Sequence, residues 1–291
     1  MWIYLVLLYG ILKGTREVVK KKSMEKSTMM EVLLMYTILS FLIVVPTAPK
    51  AIGVQPLIMV WIALKALAVF TAWILGFMAI RKMPVSMYGI LDLSRVLFST
   101  ILGLTVLSEK MGRFQIIGLS LVCIGLLMLK LKFRKKGSEA GGLSNTDSVE
   151  KVAPLMVLFA LGSCLLNAVS GTMDKILMRY VNSTQLQFWF MLFLVLFYAL
   201  YCLVKKEKIR VKSCLKNYWI WILAILFVVG DKALFVANQN PDSKVTIMTL
   251  LKQSGCIVTI FAGKIVFKEK NIVHKLICAF VIIAGIVIAV L

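Results

Sequence analysis

The chain has 291 residues, 60 % of them apolar and 16 % charged, and a formal net charge of +21. Its mean hydropathy of +0.93 excludes an ordinary soluble domain, whose apolar share is about 45–50 %. The charge does not point to a nucleic-acid partner, because the Lys and Arg residues flank apolar runs instead of gathering on one face beside aromatics. That is the pattern of cytoplasmic loops, whose natural counter-charge is the anionic headgroup of a membrane lipid.

A helix needs about 20 apolar residues to cross a hydrocarbon core of roughly 30 Å. The chain reads as an all-α polytopic membrane protein with spans at 2–19, 28–46, 57–80, 84–106 and 112–132. A second set follows at 153–178, 184–204, 216–238, 243–266 and 272–291. The first run lacks the basic start and the small-residue cleavage site of a signal peptide; Lys20, Lys21 and Lys22 follow it instead. Pro46, Pro56, Pro84, Pro154 and Pro241 fall at or just outside span ends, where a missing amide costs little.

Ten spans divide into a five-helix repeat at 1–133, a polar Gly/Ser-rich linker at 134–151 and a second five-helix repeat at 152–291. Gly14-Thr15-Arg16-Glu17 matches Gly171-Thr172-Met173-Asp174, and Ser27-Thr28 matches Ser183-Thr184. Gly103 and Gly125 match Gly263 and Gly285. An odd number of spans per repeat makes the two insert in opposite directions, which is a transporter architecture. Basic residues crowd the loops after spans one, five and seven, while the loops after spans two and six hold only Lys50 and Arg179. The crowded loops are expected in the cytoplasm, with both termini outside. The expected setting is a bacterial plasma membrane.

The stretch Leu107-Ser108-Glu109-Lys110 leading through Gly118 to Gly125, and Phe267-Lys268-Glu269-Lys270 leading to Gly285, each end one span with a Glu and open a Gly-bearing one. Cys278 stands in the second copy where the first has Gly118. With the duplication, this pattern resembles the EamA-like branch of the drug/metabolite transporter superfamily. The resemblance implies two inverted repeats, with spans one to four and six to nine around a central cavity and spans five and ten peripheral. It also implies secondary transport, often export, of a small metabolite.

Charges inside spans are expensive, about 2.5–3.5 kcal/mol each at mid-helix on insertion scales, so they are expected to face a cavity or a partner. Lys65, Asp92, Arg95, Asp231, Lys232 and Lys252 are of this kind, and a shift of 160 residues pairs Asp92 with Lys252 and Ser94 with Ser254. Lys252, Arg95 and Lys65 are expected to bind an anionic or zwitterionic substrate, with Asp92 and Asp231 balancing charge or carrying a coupling proton. The alternative for Asp92 and Arg95 is a structural i,i+3 pair. Adjacent Asp231 and Lys232 point about 100° apart, so at least one is expected to reach another helix. Glu17 and Asp174, at matching span ends, are candidate gates. Glu109 and Glu269 are expected to pin the turns between helices, and Trp73 to anchor or pack.

No catalytic group, metal site or cofactor is expected. Cys123, Cys164, Cys202, Cys214, Cys256 and Cys278 form no C-x-x-C pair, and His274 is the one histidine. The sequence holds no G-x-x-x-x-G-K-[ST] phosphate loop, no G-x-S-x-G elbow and no H-E-x-x-H pair. Two further readings stay open beside the transporter: a flippase for a lipid-linked sugar, and a polytopic membrane enzyme.

Overall fold

The computed structural model describes residues 2–108, 112–138, 154–207, 209–269 and 272–290. The linker from 139 onward, and Glu109, Lys110 and Lys270, lie outside the described residues. Every regular element among the described residues is helical. They are α1 (Trp2–Ser23), α2 (Met29–Val44) with a 3-10 extension (Val45–Lys50), α3 (Pro56–Lys82), α4 (Val85–Leu91), α5 (Arg95–Val106) and α6 (Arg113–Ser138). Then come α7 (Pro154–Leu177), α8 (Ser183–Val204), the short α9 (Val211–Lys216), α10 (Tyr218–Asn238), α11 (Val245–Leu251), α12 (Gly255–Ile265) and α13 (Ile272–Val290).

The helix ends follow local chemistry. Thr28 caps α2 and Asn182 caps α8, each in a capping box closed by the side chain three residues on, Glu31 and Gln185. Pro56 and Pro154 take the first position of α3 and α7, where no amide is missed. α6 runs to Ser138, so the first residues of the polar linker continue the helix. Ser108 and Lys268, at the same place before α6 and α13, both adopt left-handed backbone, with φ of 53° and 50°.

The helical stretches read as spans four and nine from the sequence are broken at mid-length. Asp92–Ser94 forms a 3-10 turn between α4 and α5, and Lys252–Ser254 forms one between α11 and α12. Both turns open on an ionisable residue, and the two are 160 residues apart. A 3-10 turn inside a helix often marks a hinge or a functional site.

α1 packs along α10 and against α12; α7 packs along α3 and against α5. α2 lies against α8 and α10, α8 against α2 and α3, and α6 pairs with α13. A large aromatic-rich core fills the space between α2, α3, α8 and α10, with Tyr36, Phe77, Phe190, Tyr198, Phe227 and Phe235 buried in it. The α6–α13 crossing is close: a Cβ on Gly285 would lie 2.7 Å from the Gly118 carbonyl, and one on Gly125 would meet Ile282 at 2.3 Å. The glycines of the two matching motifs are thus packing residues.

Six stretches are long and apolar enough to span a membrane on length and composition: Met29–Lys50, Pro56–Lys82, Val85–Val106, Pro154–Leu177, Ser183–Val204 and Tyr218–Asn238. α1 carries Lys13, Arg16, Glu17 and Lys20 to Lys22 on one helix, which takes it out of this set. Large apolar side chains such as Leu158, Leu200, Leu203 and Phe280 stand outward and exposed. Lipid solvates such a surface and water does not; the chain is an integral membrane protein.

Candidate functional site

Between α1, α3, α7 and α10, next to the two 3-10 turns, lies a cavity of about 80 Å³, room for a handful of waters. One wall is α1. Tyr9, Lys13, Arg16, Glu17 and Lys20 all line it, because steps of three and four residues return to the same helix face. The facing wall is α7, which contributes Ser163, Asn167, Ser170, Gly171 and Asp174. Lys65 and Trp73 of α3, Asp231 of α10, and Arg95 and Lys252 at the broken spans complete it.

Ion pairs knit the walls together. Arg16 Nη1 lies 3.2 Å from Asp231 Oδ1, and its Nη2 donates to the Tyr9 hydroxyl at 3.1 Å. Lys65 Nζ lies 3.1 Å from Asp174 Oδ1 and 3.3 Å from the centre of the Phe190 ring. Asp92 accepts from Lys13 and, at 2.8 Å, from Arg95 Nη2. Lys20 donates to Glu17 at 2.8 Å on its own helix. Two of these pairs mirror one another with the charges reversed: a base on α1 with an acid on α10, and an acid on α7 with a base on α3.

Lys252 is the exception. Among the described residues its ammonium has no carboxylate within ion-pair distance; the Tyr9 ring lies 5.7 Å away. Six cations (Lys13, Arg16, Lys20, Lys65, Arg95 and Lys252) meet four carboxylates (Glu17, Asp92, Asp174 and Asp231) around the cavity. The surplus is two positive charges in a site largely shielded from water, where Coulomb interactions are strong. Such a surplus is suited to an anion.

The residues expected from the sequence separate clearly. Lys65, Arg95, Asp231, Lys252, Glu17 and Asp174 line the cavity; Asp92 sits directly behind Lys13 and Arg95. Asp92 and Arg95 do form the i,i+3 pair, and Arg95 faces the cavity as well. Lys232 stands apart from the lining: it donates to Ser183 Oγ at 3.2 Å and Thr184 Oγ1 at 2.8 Å at the start of α8. Asp231 and its neighbour therefore each reach a different helix. Trp73 lines the cavity while packing on Tyr36 and Phe227 at 5.4 and 5.0 Å. Glu269 accepts from the Val85 amide at 2.7 Å and from Lys275 at 3.0 Å, fixing the start of α4. Sequence reasoning missed Lys13, Arg16 and Lys20. Their spacing with Tyr9, every fourth, third and fourth residue, is the signal that marks them as one face.

The family model of the EamA-like transporter family matches residues 1–131 and again 154–291. The chain belongs to the EamA-like transporter family. Membership of this family makes it a membrane transporter of the drug/metabolite type, not an enzyme family member. No curated protein matches the sequence. A solved structure titled "Crystal structure of protein" is similar in fold, with a TM-score of 0.68 and 15 % identity, covering 100 % of this chain and 96 % of that one. At that identity the likeness speaks for the fold alone.

Proposed function

We propose that this EamA-family transporter is a secondary transporter of a small anionic or zwitterionic metabolite, exporting or exchanging it through the cavity between α1, α3, α7 and α10. The observation that carries this reading is the surplus of two cations there, with Lys252 lacking a carboxylate partner. An anionic substrate supplies the missing counter-charge. Lys252, Arg95 and Lys65 then receive the anion, and Asp92 and Asp231 hold the remaining cations in balance or pass a coupling proton.

The proposal includes the architecture: ten spans in two inverted five-helix repeats, with the basic loops in the cytoplasm and both termini outside. Support comes from the principal helix packings: α1 on α10 and α12, α2 on α10 and α8, and α6 on α13 map onto α7 on α3 and α5, α8 on α3 and α2, and α13 on α6 when the halves are exchanged. The paired 3-10 turns at Asp92 and Lys252 obey the same exchange.

Thermal unfolding of the purified protein against a panel of amino acids, sugar phosphates and nucleotide sugars tests this, with Lys252→Ala in parallel. A ligand at about 100 times its dissociation constant stabilises by roughly 2.7 kcal/mol. The expected result is stabilisation of the native protein and little or none of the variant. Stabilisation by a polyprenyl-phosphate lipid alone hands the site to a lipid-linked sugar instead. Equal stabilisation of both proteins removes Lys252 from the site.

A further inference from the structure

Gly14 and Gly171 hold the same position in the matched Gly-Thr-x-acid segments of α1 and α7, yet the space beside them differs completely. A Cβ on Gly14 would lie 2.4 Å from the Gly255 carbonyl oxygen and 2.9 Å from its Cα. That glycine exists so that α1 and α12 can touch backbone to backbone. A Cβ on Gly171 would meet nothing within 4 Å. Glycine weakens a helix interior relative to alanine, and in this structure packing gives no reason for it at Gly171. What Gly171 borders is the cavity.

The groups beside it are polar and unspent. Asn167 Nδ2 donates to Ser163 at the backbone oxygen (2.7 Å) and at Oγ (3.3 Å), which leaves Asn167 Oδ1 without a partner among the described residues. Ser170 Oγ likewise makes no hydrogen bond among them, although the residue is only 5 % exposed. The α1 wall opposite is cationic, while this wall offers an acceptor, a hydroxyl and a gap.

We infer that Gly171 is a specificity-determining residue: with Asn167 and Ser170 it forms a neutral subsite that takes the uncharged, hydrogen-bond-donating part of the anion, and it limits how large that part can be. The ligand class follows from the two walls together. It is a small anion whose other end carries hydroxyl or amino groups, with its charge toward Arg95 and Lys252. This rests on the cavity being the substrate site, as proposed above.

The test uses two probe series of rising length on a constant head: ω-hydroxy carboxylates from glycolate through 4-hydroxybutyrate to 6-hydroxyhexanoate, and phosphate monoesters of amino alcohols from 2-aminoethanol to 6-aminohexanol. Concentration-dependent thermal stabilisation is measured on the wild type, Gly171→Ala and Gly171→Val. A Cβ at this position displaces no protein atom, so Gly171→Ala is expected to fold, and the melting temperature of each unliganded variant checks that it does. The expected result is a size cut-off that moves down the series from wild type to Ala to Val. The bulkiest probe bound by the wild type loses about tenfold or more in apparent affinity, and the smallest changes less than about twofold. A uniform loss across each series overturns the proposal, since it assigns Gly171 to helix closure instead of size selection. Unchanged affinities overturn it too. If no probe in either series stabilises the wild type, the ligand class assigned here is wrong; the cavity reading falls with it only if the amino-acid and sugar-phosphate panel fails as well.

Discussion

α1 and α7 carry a matching sequence segment and put it to two uses. Both line the cavity, both lie along a partner from the other end of the chain, and both carry a Gly-Thr-x-acid segment at the same level. α1 turns a cationic stripe toward the cavity and presses its glycines into α12; α7 presents small hydroxyl and amide side chains, with its glycine beside open space. The backbone plan tolerates either solution. The difference between the two walls therefore lies in a few side chains and not in the backbone that carries them.

The comparison can be broken most severely at Asp92. Asp92→Asn leaves Lys13 and Arg95 buried without their common carboxylate, and removal of one partner of a buried pair costs about 3–5 kcal/mol. A large fall in the unfolding temperature of the detergent-purified protein is expected; an unchanged one would show that the α1 cations need no internal counter-ion. Next in size is the contrast between the two glycines. Gly14→Ala drives a methyl into the Gly255 backbone and is expected to cost about 1–3 kcal/mol. Gly171→Ala should instead be neutral or gain roughly 0.5–1 kcal/mol. Parallel thermal melts of the two variants read this directly, and equal losses would erase the distinction between the walls. The smallest effect is expected at Lys232, whose hydrogen bonds go to Ser183 and Thr184. Lys232→Gln should change stability by less than about 1 kcal/mol and leave ligand stabilisation as it is; a loss of ligand response would bring Lys232 back to the cavity.

Much of the helical framework is legible in the sequence, because a bilayer imposes a length and a composition on anything that crosses it. Span ends read from apolar runs and prolines fall within a few residues of the observed helix bounds from Pro56 and Pro154 to Tyr218 and Ile272. Intramembrane charge singled out Lys65, Arg95, Asp231 and Lys252, all of which line the cavity, since an ion has few tolerable places in a bundle. It failed in two informative ways. The first span read as 2–19 left Lys20 to the loop after it and did not single out Lys13 or Arg16 inside it, whereas α1 continues to Ser23 and turns all three onto one face. Lys232 satisfied the same cost by reaching hydroxyls at the start of another helix, an option that hydropathy does not reveal. The 3-10 turns were not read for a related reason: Asp92 and Lys252 lie within apolar runs that carry no Pro at that point, and nearby Gly89 and Gly255 weaken a helix without marking a break.

Those turns also change how the two broken spans should be drawn. A 3-10 segment advances about 120° per residue and an α-helix about 100°. Three residues at Asp92–Ser94 thus rotate everything after them by about 60° relative to an unbroken helix. A single helical wheel drawn through Val85–Val106 assigns the residues beyond Ser94 to the wrong sector, and one drawn through 245–265 does the same beyond Ser254. Each span is two wheels out of phase, so the stripe of positions sensitive to substitution shifts sideways halfway across the membrane.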